Sequence, residues 1–133
     1  MRISDLTLEN FKLFERAHFQ FHPQFNLLVG ENGAGKTSVL DGVAVALGVW
    51  LAKPPDPGLT NSRRNIHHRE IRLAPVERGD RTQLRRIRPV RVTASGELYE
   101  HTRVSWTRQI REGSSRTSNA EASDALQLIR ALY

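Results

Sequence analysis

At 133 residues with 38% hydrophobic content, the chain can build one modest core, and no apolar stretch approaches the roughly 20 residues of a membrane-spanning helix. The lack of cysteine excludes a disulfide framework and a thiolate metal site, and Met1-Arg2 runs straight into a strand pattern instead of a signal peptide, so a cytoplasmic location with no membrane partner is expected. The net charge of +6 is unevenly spread: residues 63–91 hold ten arginines, from Arg63 to Arg91, against Glu70, Glu77 and Asp80, a local excess of +7 that leaves −1 for the rest.

Ile3, Leu6 and Leu8 stand between polar residues and predict a half-buried strand, and Phe19 and Phe21 flank Gln20 in a second, shorter one. Phe25, Leu27, Leu28 and Val29 form a short apolar run that stops at Gly30, the pattern of a buried parallel strand feeding a turn. The turn reads Gly30-Glu31-Asn32-Gly33-Ala34-Gly35-Lys36-Thr37 and fits the spacing G-x-x-x-x-G-K-[ST], followed by Ser38. Gly30, Gly33 and Gly35 permit positive φ and close approach, so that successive backbone N–H groups can surround a β-phosphate. Lys36 supplies an ammonium for the β- and γ-phosphates and is the expected catalytic residue. Thr37 offers a hydroxyl to Mg²⁺, which keeps most of its waters and takes few protein ligands. ATP and Mg²⁺ are therefore the expected cofactors, held by Gly30, Glu31, Asn32, Gly33, Ala34, Gly35, Lys36, Thr37 and Ser38. The plain alternative is a glycine-rich turn with a solvated lysine.

Residues 36–51 are apolar nearly all round and predict a helix packed deep against a sheet, with Gly42 and Gly48 explained by close packing on a strand and Lys53-Pro54-Pro55 as its stop. Residues 54–88 are expected to form a long basic insertion, Pro-rich at its ends and without sustained apolar period. They carry no aromatic side chain for base stacking, and their charge suits a solvated loop, nucleic acid or an acidic protein. His67 and His68 lack the spacing of a helical metal site and are read as loop residues. Val90, Val92, Tyr99, Val104 and Trp106 predict antiparallel strands, with turns at Ser95-Gly96 and Gly113-Ser114-Ser115. Ser118 to Glu121 fits a capping box opening a helix with Ala122, Ala125, Leu126, Ile129 and Leu132 on one face.

The loop, with Asn32-Gly33 before Gly35-Lys36-Thr37-Ser38, resembles that of ABC-type and RecF/SMC-type ATPases. Asn10-Phe11-Lys12-Leu13-Phe14 resembles the Asn-Phe-basic-x-aromatic element that closes their first strand. The resemblance is specific over residues 1 to about 52. It implies an α/β (α+β) P-loop NTPase fold, an ABC-like first lobe with a mixed sheet around the P-loop helix and an antiparallel β-subdomain, truncated. The parts are residues 1–53 as nucleotide core, 54–88 as insertion and 89–133 as strands and helix of the same lobe. The resemblance places Lys12 near the nucleotide; as a residue it reads more readily as a solvated strand-end charge.

No apolar run ends in the Asp-Glu pair that would support Mg²⁺ and activate water. The L-S-G-G-[QE] signature is also missing; Ala94-Ser95-Gly96-Glu97-Leu98 is a partial look-alike read as a hairpin turn, and no glutamine stands out as an Mg²⁺ sensor. By resemblance those parts lie downstream, and two sites are completed across a homodimer of stand-alone bacterial AAA-type ATPases acting in DNA repair or anti-phage defence, with nucleic acid or an effector nuclease as partner. The fragment alone is expected to bind ATP without hydrolysing it, and a lobe missing its other half should expose apolar surface and self-associate. The rival reading is a nucleic-acid-binding module in which the arginines of residues 63–91 do the work and the loop regulates. A small kinase or GTPase fits less well, because no acceptor site or base-specificity motif is present.

Overall fold

The computed structural model describes residues 2–49, 64–97 and 102–132. Strands β1 (Arg2–Phe11), β2 (Phe14–Gln20), β5 (Val90–Glu97) and β6 (Arg103–Ile110) form one sheet in the order β2-β1-β5-β6, every neighbouring pair antiparallel. Period-two alternation sorts their side chains. Leu6 and Leu8, Val92 and Ala94, and Trp106 and Arg108 meet in register on the buried face, whereas Thr7, Thr93 and Thr107 line the other. A threonine pair at 2.8 Å and the Arg91–Glu9 ion pair hold that polar face.

Helix α1 (Lys36–Leu47) covers the apolar face through Ser38, Val39, Gly42, Val45 and Ala46. The expectation about its glycines holds: a Cβ on Gly42 would lie 2.7 Å from Leu8 Cδ2, and one on Gly48 would lie 2.2 Å from Arg108 Nη1. Gly48 ends the helix earlier than the sequence predicts, and the predicted stop at 53–55 lies outside the described residues. Helix α2 (Ser123–Leu132) lies against β6 with Ala122 and Ala125 buried, and Leu126 and Ile129 join the core from the same face.

Four expectations need correction. The run 25–29 is neither strand nor buried: Phe25, Leu27 and Val29 are 71%, 72% and 82% exposed. Among the described residues no strand lies alongside it to take up its amides or cover Phe25, Leu27 and Val29. Ser95 and Gly96 belong to β5 and make no turn. Gly96 is needed because β1 bulges toward it between Ile3 and Asp5, and an added Cβ would meet the Arg2 carbonyl oxygen at 2.0 Å. That also removes the hairpin reading of the signature look-alike at 94–97, while Leu98 and Tyr99 lie outside the described residues. Within the basic insertion, β3 (Leu73–Arg78) and β4 (Arg81–Arg86) pair as a separate antiparallel hairpin. Its two-residue loop places Gly79 at φ 62, the positive φ that such loops demand. Finally, the capping box is not made. Ser118 Oγ accepts the Ala120 N–H at 3.2 Å, but the Glu121 carboxylate is drawn instead to the Gln109 amide and Arg111.

Candidate nucleotide site

The loop leaves the unpaired segment after β2 and turns into α1 on the covered face of the sheet. Gly33 and Gly35 adopt φ 88 and φ 98, which only glycine takes without strain. Gly35 also has no room for a side chain, because a Cβ would approach Phe14 Cζ to 2.7 Å and Leu13 Cδ2 to 3.1 Å. The β1–β2 turn is therefore what presses the loop into shape. Gly35 begins α1 with no side-chain cap and no acidic residue in the first turn, so the positive end of the helix faces outward uncompensated.

A cavity of about 190 Å³ opens there, lined by Leu13, Asn32, Gly33, Gly35, Lys36, Thr37 and Ser38. Lys36 Nζ donates to the carbonyl oxygens of Gly30 at 2.5 Å and Glu31 at 2.8 Å, arching over the loop. A Cβ added to Gly30 would lie 3.2 Å from the Ala34 methyl, and the Ala34 N–H donates to Glu31 O at 3.1 Å. Thr37 is exposed and Ser38 is buried. Among the described residues no carboxylate lines the cavity. The donor set, backbone N–H groups with one ammonium and one free hydroxyl, suits a Mg²⁺-bound polyphosphate, since Mg²⁺ accepts a single protein oxygen and keeps its waters.

Lys12 does not line this cavity. It borders a neighbouring one of about 420 Å³ with Leu13, Arg69, Ile71 and Leu73, so Leu13 forms the wall between the two. Lys12 itself holds φ 51 at the tip of the β1–β2 turn, and Asn10 holds φ 50, an unusual conformation that asparagine tolerates better than lysine. Neighbours fix both. Asn10 Nδ2 donates to Pro89 O at 2.9 Å, and the Lys12 N–H donates to Glu70 O at 2.6 Å.

Around them runs a charged frame. Lys12 pairs with Asp41, which also meets Arg64 at 3.3 Å, and Arg64 grips Glu70 at 2.5 and 3.0 Å. Glu70 is 2% exposed and accepts the His67 backbone N–H at 2.9 Å. The Lys12 hydrogen bond, aided by Arg64 and opposed by partial burial, holds the Asp41 carboxyl below its ordinary value. Burial pushes the Glu70 carboxyl up, but Arg64 and the His67 N–H outweigh it and leave that group lowered too. Sequence reasoning missed Leu13, Asp41, Arg64 and Glu70. Asp41 alone left a signal, as the one acidic residue in the otherwise apolar stretch 36–51.

A glycine loop running into the bare N-terminus of a helix that lies on a sheet defines a P-loop α/β lobe. The chain belongs to the AAA domain family, whose model matches residues 5–130. It is similar to the DNA double-strand break repair Rad50 ATPase of Saccharolobus solfataricus, at 47% identity over 47 residues, 35% of this chain and 5% of that protein. It is also similar to the DNA replication and repair protein RecF of Flavobacterium johnsoniae, at 37% over 87 residues, 62% of this chain and 23% of the other. The RecF of Lactococcus lactis subsp. lactis matches at 32% over 71 residues, 53% and 17%. The chain thus spans less than a quarter of each of these relatives. A solved structure from work on ATP-driven dimerization and DNA stimulated activation of SMC ATPases shares the fold. Its TM-score is 0.61 at 20% identity, with 98% of this chain and 79% of that one covered. The RecF/SMC-like P-loop character expected from the loop and from Asn10 to Phe14 therefore stands.

Proposed function

We propose that this chain is the ATP-binding lobe of a longer RecF/SMC-like ATPase that works in DNA repair or processing. The observation that carries the reading is the 190 Å³ cavity between the glycine loop and the uncapped start of α1, with Lys36 and Thr37 on its wall. An incoming triphosphate replaces the Gly30 and Glu31 carbonyl oxygens as the partner of Lys36, and backbone N–H groups of residues 33–38 take the β-phosphate oxygens. Thr37 Oγ1 would be the protein ligand of Mg²⁺, which would supply neutralisation of the phosphate charge when bound. Lys12 approaches the nucleotide from the adjacent cavity, held there by Asp41.

Among the described residues no carboxylate lines the cavity, in keeping with a hydrolytic base drawn from elsewhere in the longer protein and a homodimer that completes each site. The exposed apolar run 25–29 supports this reading, since a strand of that composition is built to be flanked on both sides. The three-part division at residues 53 and 88, a cytoplasmic location and an effector nuclease or anti-phage role belong to the same proposal. Among the described residues no helix is long and apolar enough to cross a membrane.

The test is Mg²⁺-dependent ATP binding and turnover by the chain beside Lys36→Ala. Binding without turnover is expected, weakened at least about a hundredfold in the variant, the loss of two charge-assisted phosphate contacts at ~1.5 kcal/mol each. Robust turnover by the chain alone would overturn the divided-site reading.

A further inference from the structure

The β3–β4 hairpin stands outside the main sheet, and one of its two edges is open. The Ile87 N–H donates to Arg72 O at 2.9 Å, so alternation along the register makes Arg85 with Ala74, Gln83 with Val76 and Arg81 with Arg78 the bonded pairs. Pro75, which has no N–H to give, falls with Leu84 on a non-bonded pair. On β3 the proline therefore removes the outward donor from the middle of the edge. On β4 the N–H and C=O groups of Thr82 and Leu84 point away from the hairpin, and among the described residues β3 is the only ladder partner of β4. The side chains along this open edge alternate in kind. Leu84 is 70% exposed and shares a face with Pro75 and Leu73, which are exposed too. Arg81 and Arg85 are exposed on the opposite face. Among the described residues neither has a carboxylate partner, whereas Arg64, Arg72 and Arg91 nearby are paired with Asp41 and Glu70, Glu15, and Glu9. Beside Arg85 lies a cleft of about 150 Å³ in which Arg88 Nε is buried with no acceptor.

We propose that the open edge of β4 takes up an extended segment of a partner protein that alternates acidic and aliphatic residues, added to the hairpin as a third strand. Period two sets the acids of such a segment opposite Arg81 and Arg85 and its aliphatic side chains on the face of Leu84, while its backbone meets the outward groups of Thr82 and Leu84. Arg81 and Arg85 stand four positions apart, so the match holds for a strand added in either direction. The same arginines disfavour a second copy of β4 as the occupant, because pairing centred on Gln83 would set Arg81 against Arg85. A phosphate backbone is the poorer fit, since its anions bring no aliphatic surface for Leu84, Pro75 and Leu73 to meet. The edge stands apart from the nucleotide site, and ATP is absent from its test.

The experiment is fluorescence anisotropy of a labelled peptide of about ten residues, glutamate alternating with valine, titrated with the full chain in ~0.1 M KCl. Saturable binding is expected. A peptide of the same composition with its glutamates and valines in separate blocks should bind at least about tenfold more weakly, because it offers charge without alternation. Arg81→Glu/Arg85→Glu should weaken the glutamate peptide roughly thirtyfold, two cross-strand pairs turned from attraction to repulsion, and should take up a lysine–valine peptide that the parent does not bind. Thr82→Pro, which removes one outward N–H and leaves the pairing with β3 intact, should cost about tenfold. Leu27→Asp/Val29→Asp should bind like the parent, which separates the β4 edge from the exposed run 25–29. Far-UV circular dichroism confirms that each variant is folded. The proposal is overturned if the block peptide binds as well as the alternating one, if the charge reversal or Thr82→Pro leaves the affinity unchanged, or if Leu27→Asp/Val29→Asp abolishes binding. It is equally overturned if the alternating peptide does not saturate the chain below about 1 mM, a range that spans weak binding, while a DNA duplex of similar charge does, since the arginines would then serve phosphates.

Discussion

Asp41 is the residue on which the surroundings of the loop turn, because it sits on the same helix as Lys36 and holds both Lys12 and Arg64. Its carboxyl and that of Glu70 are both lowered, Asp41 by the Lys12 hydrogen bond above all and Glu70 by contacts that outweigh its burial. Groups shifted in this direction contribute fully above the ordinary carboxylate range, near pH ~4, and lose the contribution as pH falls through their lowered values. The folded chain should therefore keep its stability from pH 7 down to about 4 and lose it steeply below. Asp41→Asn, at a partly exposed pair, should cost about 1 kcal/mol at neutral pH. Glu70→Gln should cost about 3 kcal/mol, since it strands Arg64 against a buried neutral amide. Both should flatten the acid limb. Urea midpoints measured from pH 7 to pH 3 check this, and variants with the parent's acid slope would mean that the frame does not stabilise the fold.

The helix that carries the loop is tied to the sheet at its far end by β6. Arg108 is fully buried; its Nη1 donates to Val45 O at 2.7 Å and Arg64 O at 2.5 Å, its Nη2 to Asn65 Oδ1 at 2.7 Å and its Nε to Asn119 Oδ1 at 2.9 Å. Trp106 Nε1 adds a bond to Ala46 O at 3.0 Å, so two carbonyl groups of the last turn, where the helix is negative, meet donors from one strand. Arg108→Met should destabilise the chain by about 3 kcal/mol or more, because several buried acceptors lose their donor at once. Arg108→Lys should rescue little, since one ammonium cannot reach acceptors spread around a planar fork. Chemical denaturation measures both, and a loss under about 1 kcal/mol would show that the acceptors re-pair. At this scale β1, β2, β5, β6 and the two helices were legible, because each buries one face and writes that burial into its period. The β3–β4 hairpin was not: with arginine, leucine and proline on exposed strands, only Gly79 marked it. The loop residues fall within nine consecutive positions, 30–38, and spacing alone names them. The frame does not lie that way, for Lys12 and Asp41 are 29 positions apart and Arg64 and Asp41 are 23.

The molecule as a whole has two kinds of unfinished surface, and they predict different behaviour. The outer edge of β2 carries the charges of Glu15 and Arg16, which discourage another strand from adding to it. The run 25–29 has no such guard. Its apolar side chains read as a buried strand because composition reports what a segment is suited to, while only the fold reports whether neighbours are there to cover it. Phe25, Leu27 and Val29, each more than 70% exposed, present an apolar patch of the kind that monomers seldom leave uncovered. If partner strands normally flank this run, the chain alone should associate reversibly with itself, increasingly so from about 1 μM to 100 μM, the range in which exposed strands and apolar surface drive association. Leu27→Asp with Val29→Asp should return it to a monomer without lowering its unfolding midpoint, because both side chains are solvated already. Sedimentation velocity across that range separates the outcomes: a parent chain that stays monomeric throughout would mean that the exposed run is tolerated as it stands, and the divided-lobe reading would lose its structural support.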